Sequence, residues 1–166
     1  MLKNNILGCI GQVILVLLTF LFISLIHMGE GLSQFFYSGF IGKIFFILVP
    51  ALYYWLFGKL MSRSTGWAGL LFPGLSIFGI SLILGFIGFS ALGSQWINLS
   101  VGESMWRFPL EVFLLPQYIL ATLWNLPKEE YTLLILSCVP GLIYTISLLG
   151  GRHKIRQRRK RRGEYL

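Results

Sequence analysis

The stretch WAGLLFPGLSIFGISLILGFIGFSAL, residues 67–92, decides the fold because no charged side chain interrupts it. A helix needs about 20 predominantly apolar residues to cross the hydrocarbon core of a bilayer, so the stretch predicts a transmembrane helix. Its small residues predict tight packing, since lipid gives helices no hydrophobic drive to associate and small side chains let backbones approach. A broken helix that lines a ligand site is the alternative. The predicted packing residues are Gly74, Gly79, Ser81, Gly85 and Gly88.

Three further apolar runs accompany this one, at residues 6–26, 40–60 and 131–149. The four runs together predict an all-α integral membrane protein, built as a four-helix transmembrane bundle that forms a single domain over residues 1–151. The first run could be a cleaved signal peptide, but it is long and no small-residue cleavage site follows it. We therefore expect it to remain as the first span.

The composition excludes most other classes of protein. Hydrophobic residues make up 55% of the 166 residues and charged residues only 12%, whereas about 25% of an ordinary soluble domain is charged. Mean hydropathy is +0.75. Four spans leave no room for a soluble catalytic domain, and the two cysteines provide no disulfide framework.

The segment 93–130 leaves the number of spans open. Its apolar part is interrupted by Pro109, Glu111 and Pro116, and a charged side chain at the middle of a bilayer costs about 2.5–3.5 kcal/mol on insertion scales. We therefore expect an extracytoplasmic cap, helical or dipping into the membrane as a re-entrant hairpin. A fifth span through this segment is the alternative.

The charge of the chain is concentrated in the tail, residues 152–166, and predicts its orientation. Cytoplasmic loops carry an excess of lysine and arginine, and the four-span arrangement places eleven of the 14 such residues inside. Five spans would place ten inside, so the rule favours four spans, with both termini cytoplasmic in the cell membrane, by one residue only. Basic side chains next to a span attract anionic lipids. The predicted lipid contacts are Arg152, Lys154, Arg156, Arg158, Arg159, Lys160, Arg161 and Arg162.

Two sets of polar residues are candidates for chemistry. His27 and Glu30 would share a helix face if the first helix continued through them, and they could handle a proton. Glu103, Arg107 and Glu111 follow one another at intervals of four, and Arg107 could neutralise Glu111 as the segment enters the membrane. An ionisable group at membrane depth is a functional hypothesis by default. The spacing gives no metal site, and the sequence indicates no cofactor.

Three classes of function remain open. The scarcity of polar residues in the spans favours a non-enzymatic accessory, assembly or regulatory subunit, bound to a larger membrane partner through the run 67–92 and the cap. A small oligomeric transporter or channel for a lipid or hydrophobic substrate is the alternative. An intramembrane enzyme would have to use His27, Glu30 and Glu111. No feature predicts recognition of a specific nucleic acid.

Overall fold

The computed structural model describes residues 2–61, 67–93, 105–126 and 130–161, and every regular element in these ranges is a helix. The helices are α1 (Leu2–His27), α2 (Glu30–Ser38), α3 (Phe40–Gly58), α4 (Trp67–Leu92), α5 (Phe108–Phe113), α6 (Leu115–Leu123), α7 (Glu130–Leu136) and α8 (Cys138–Arg161).

In the described ranges, four segments are helical and apolar over a length that suffices to cross a membrane: Leu2–His27, Phe40–Gly58, Leu71–Leu92 and Thr132–Gly151. They correspond to the four predicted runs and confirm an all-helical protein with four candidate spans. The first helix begins four residues before the predicted run, and the second ends at Gly58 rather than at residue 60. The short helix α2 was not predicted.

The long helices alternate in direction. Near the starts of α1 and α4, Asn4 Nδ2 donates a hydrogen bond of 3.2 Å to the Gly69 carbonyl, so these two helices run in parallel. Near the end of α3, the Trp55 carbonyl accepts a hydrogen bond of 2.7 Å from Ser147 Oγ of α8. The starts of α1 and α4 and the end of α3 therefore lie at one end of the bundle, and α8 runs toward that same end.

Prolines set several of the helix boundaries. Pro109 and Pro116 lie in the first turns of α5 and α6, where the missing N–H of proline is tolerated. Pro140 has no N–H to donate to the carbonyl four residues before it, and its ring crowds that carbonyl. The last apolar segment is accordingly divided into α7 and α8 at Ser137.

The helices α5 and α6 pack inside the bundle. Leu110 and Leu114 are 1% and 0% exposed and cluster with Leu133 of α7. In α6, Ile119 and Leu123 pack against residues near the end of α1 and the start of α3. The chain therefore runs along α5 to the middle of the bundle and turns at Leu114. It then runs back along α6 toward the end of the bundle at which α1 finishes.

Candidate functional site

A chain of buried polar side chains joins α1, α3 and α6 at the centre of the bundle. Gln12, Tyr54 and Gln117 are 0%, 2% and 6% exposed. Gln12 Nε2 donates to the Phe113 carbonyl at 2.7 Å, and Tyr54 Oη donates to Gln12 Oε1 at 2.7 Å. Gln117 Nε2 donates to Tyr54 Oη at 2.9 Å. Three helices and the α5–α6 turn are thus held by one series of hydrogen bonds.

The Phe113 carbonyl, which accepts the first of these hydrogen bonds, determines which atom of each side chain donates. A backbone carbonyl only accepts, so the Gln12 amide must present its Nε2 to Phe113 and its Oε1 to the Tyr54 hydroxyl. The Tyr54 proton is then committed to Gln12, and the hydroxyl oxygen accepts from Gln117 Nε2. Gln117 Oε1 is left with no hydrogen-bond partner among the described residues.

A cavity of about 230 Å³ lies beside Gln117, between α3, α6, α7 and α8. Ile47 and Val139 stand at its exposed rim, and Phe46, Tyr54 and Gln117 are buried in its wall. Among the residues that the structure describes, its lining contains no charged residue, and its polar side chains are those of Tyr54 and Gln117. The lining residues are Phe46, Ile47, Pro50, Ala51, Tyr54, Pro116, Gln117, Leu120, Leu136, Val139 and Ile143.

Tyr144 of α8 supports the polar chain from the other side. Its ring meets the Tyr54 ring edge to face, with centroids 5.4 Å apart. A Cβ added to Gly11 would lie 2.7 Å from the Tyr144 hydroxyl oxygen, so the absence of a side chain at Gly11 makes room for this tyrosine. Tyr53 also donates to the Gly11 carbonyl, at 2.9 Å. The absence of a side chain at Gly11 therefore makes room for Tyr144 and for the Phe57 ring, whose nearest atom would lie 2.8 Å from the added Cβ.

His27 and Glu30 do not share a helical face. His27 is the last residue of α1 and Glu30 the first of α2, because Gly29 between them has an extended backbone. His27 Nδ1 lies 2.9 Å from the Ile23 carbonyl, and its ring centroid is 5.5 Å from that of Tyr37. Burial raises the pKa of the Tyr37 phenol above its ordinary value. The condition for a shared helical face, a first helix that continues through both residues, is therefore not met, because α1 ends at His27.

Arg107 and Glu111 form an ion pair at the start of α5. Arg107 Nε lies 3.6 Å from Glu111 Oε1, and the two side chains are 0% and 12% exposed. The predicted spacing of four residues therefore brings these two charges together below the surface of the bundle. Glu103, the third member of the predicted set, lies outside the described residues.

The predicted packing residues occupy different surroundings. A Cβ on Gly74 would overlap the Gly141 Cα of α8, whereas a Cβ on Gly79 would meet nothing within 4 Å outside its own helix. Ser81 is buried and donates to the Ile77 carbonyl at 2.9 Å. Gly85 and Gly88 are buried. Gly74 thus sets the α4–α8 contact, and Gly79 leaves an opening.

The predicted lipid-binding tail begins within α8, whose backbone remains helical as far as Arg161. Arg152, Lys154, Arg156, Arg158, Arg159, Lys160 and Arg161 therefore continue the helix of the last candidate span. Arg162 and the residues after it lie outside the described part of the chain.

Sequence reasoning missed the polar chain. Gln12 is one of few polar residues in the first apolar run, and Gln117 follows Pro116 in the segment that was expected to form the cap. A glutamine inside an apolar run needs a hydrogen-bond partner when it is buried. That need was the available signal, but the spacing along the sequence did not show which residues would meet.

Comparisons with family models, with curated protein sequences and with solved structures find no match for this chain. The class of protein therefore follows from the fold: the part of the chain that the structure describes is helical and contains four helices long and apolar enough to span a membrane. In the described ranges, no three His, Cys, Asp or Glu residues are grouped so as to hold a metal ion.

Proposed function

We propose that this protein is a non-enzymatic accessory, assembly or regulatory subunit of a larger membrane complex. The observation that carries the proposal is the hydrogen-bonded series Gln12–Tyr54–Gln117, which ties α6 to α1 and α3 at the centre of the bundle. An ion route needs polar side chains aligned along a path. Here the central polar groups bind one another and fix the packing of the helices, which suits a scaffold.

The orientation of the proposed subunit follows from the alternating helices. The start of α1 and the basic end of α8 lie at the same end of the bundle, and we place that end in the cytoplasm of the cell because of its lysines and arginines. The segment containing α5 and α6 is then a re-entrant cap that enters from the external side. The basic tail binds anionic lipids of the inner leaflet.

The outward face of α4 is the surface we assign to a transmembrane helix of the partner. Leu75, Ile83 and Phe86 are 55%, 62% and 70% exposed, and they lie on the same helical face as Gly79. The opening at Gly79 lets a second helix approach between these larger side chains. The glycine-rich run thus serves two contacts, one internal at Gly74 and one external at Gly79.

Replacing Gly79 with leucine is expected to release the partner while leaving this chain folded. The new side chain fills the opening, and overpacking of a close contact costs about 1–3 kcal/mol, which corresponds to a loss of affinity of about fivefold to 150-fold. The measurement is purification from the native membrane in a gentle detergent, with quantitative mass spectrometry of the proteins that come along.

Gly150→Leu provides the matched control, because Gly150 is another helical glycine where a Cβ meets nothing within 4 Å. It should retain the partner at the wild-type ratio. A wild-type protein that purifies as a homogeneous homo-oligomer with no stoichiometric partner would contradict the proposed function.

A transporter for a lipid or hydrophobic substrate is a second candidate, and the cavity beside Gln117 is the observation that favours it. A carrier must release its ligand to either side of the membrane, so it predicts flux in liposomes that contain this protein alone. An accessory subunit predicts no such flux.

A further inference from the structure

We propose that the short helix α2 lies in the surface of the bilayer, at the end of the bundle where α1 finishes, and that Leu32 and Phe35 insert among the lipid acyl chains. The partner of this helix face is the lipid bilayer itself. The face is separate from the contact assigned to Gly79, and lipid covers it whether or not the protein has a membrane partner.

The connections on either side of α2 hold this helix at the boundary of the membrane. Only Met28 and Gly29 separate it from α1, and only Gly39 separates it from α3. Both neighbouring helices are candidate spans, so the end of α1 and the start of α3 lie at the same membrane surface. Because the connections are this short, α2 has to lie close to that surface as well.

One side of α2 is packed against the bundle. The centroid of the Phe36 ring lies 5.3 Å from that of Phe22 in α1 and 5.3 Å from that of Phe45 in α3. Tyr37 packs in the same cluster. The backbone at Phe36 also approaches Gly42 so closely that a Cβ on this glycine would overlap it. These contacts fix the rotation of α2 about its own axis, and they determine which side chains face outward.

The outward part of α2 has an apolar flank and a polar flank. Leu32 and Phe35, which form the apolar flank, are 54% and 49% exposed and share one side of the helix because they lie three positions apart. Glu30, Gln34 and Ser38 form the polar flank, since they are exposed and lie four positions apart. At 3.6 residues per turn, the apolar flank, the polar flank and the side against the bundle each take about a third of the circumference.

This arrangement suits a helix that lies in the interface between water and hydrocarbon. Interfacial helices bury an apolar side about 5–10 Å into the boundary between headgroups and acyl chains and keep a polar side in water. A deeper position would bring the Glu30 carboxylate into the hydrocarbon, where a charge is costly. The apolar flank has two large side chains, whereas a stable protein interface takes about 20–30 residues on each side. Lipid therefore fits this flank better than a protein partner does.

The test uses the full-length protein reconstituted alone in phosphatidylcholine vesicles, with both native cysteines changed to alanine and a nitroxide on a single new cysteine. Spin relaxation measures how often the nitroxide meets oxygen, which concentrates in hydrocarbon, and a water-soluble nickel chelate. Leu32→Cys and Phe35→Cys should be more accessible to oxygen, and Gln34→Cys and Ser38→Cys to the chelate. The order should thus reverse between two neighbouring positions, 34 and 35.

Two results would overturn the proposal. Access of the nickel chelate to both flanks would show that α2 is surrounded by water. Exclusion of both reagents from Leu32→Cys and Phe35→Cys would show that protein, such as a second copy of this chain, covers the apolar flank.

A second measurement gives the depth of α2. A fluorophore on Phe35→Cys should be quenched more strongly by lipids with a nitroxide near the headgroup than by lipids with a nitroxide near the end of the acyl chain, because an interfacial helix is shallow. Leu48→Cys is the control and should show the opposite order, since Leu48 is 60% exposed near the middle of α3. The same order at both positions would contradict the interfacial placement. No partner protein is present in the vesicles, so these results do not depend on the proposed accessory function.

Discussion

Replacing Gly74 with alanine is expected to destabilise the protein by about 2–3 kcal/mol, although the same change in an ordinary helix interior stabilises it by up to about 1 kcal/mol. The reason is the α4–α8 contact, where a Cβ on Gly74 would overlap the Gly141 Cα and a Cβ on Gly141 would lie 2.7 Å from the Gly74 Cα. Backbone faces backbone, so no flexible side chain can move aside. The measurement is the unfolding midpoint of the purified protein in a fixed mixture of mild detergent and dodecyl sulfate.

Gly79→Ala is the control for this prediction. Gly79 lies in the same helix, but its Cβ would meet nothing within 4 Å, so alanine there should keep or raise the midpoint. Equal midpoints for the two variants would mean that α4 and α8 do not approach each other at Gly74.

Replacing Glu111 with glutamine is expected to cost about 3 kcal/mol, because it removes a carboxylate that forms an ion pair with the buried Arg107 guanidinium. The two side chains are 12% and 0% exposed and lie 3.6 Å apart. Because the pair is sheltered, added salt should screen it little. The same unfolding assay, at low and high salt, measures the effect.

The double variant Arg107→Met with Glu111→Gln tests whether the cost arises from the pair. Removal of both charges should restore most of the stability lost in Glu111→Gln alone, since an apolar replacement of a buried pair is often neutral. Arg107→Met is also measured alone. If the loss of stability in the double variant equals the sum of the losses in the two single variants, the charges are not coupled and the ion pair does not stabilise α5.

The sequence predicted the four candidate spans because their signal is local. A run of about 20 apolar residues is enough to indicate a spanning helix, whatever the rest of the sequence contains. Residues 67–92 contain such a run without a charged side chain. The spacing of Arg107 and Glu111 was informative for the same reason, since residues four apart on a helix are neighbours.

The interior of the bundle could not be predicted in this way. The polar chain joins Gln12 to Phe113 and Tyr54 to Gln117, residues that are 101 and 63 positions apart in the sequence. Their meeting depends on how α5 and α6 enter the bundle, which no local pattern encodes. The short helices also depend on Pro109 and Pro116, which the sequence analysis treated as interruptions although each lies in the first turn of a helix.

A four-span topology requires the segment that contains α5 and α6 to enter and leave on the same side of the membrane. The most direct test labels single cysteines with a membrane-impermeant maleimide, after Cys9 and Cys138 have been changed to alanine. Met105→Cys and Leu126→Cys flank the segment at exposed positions, and Met28→Cys and Leu60→Cys mark the two ends of the bundle. We expect Met105→Cys, Leu126→Cys and Met28→Cys to label from outside, and Leu60→Cys only from the cytoplasm. Labelling of Met105→Cys and Leu126→Cys from opposite sides would show a fifth span and contradict the four-span topology.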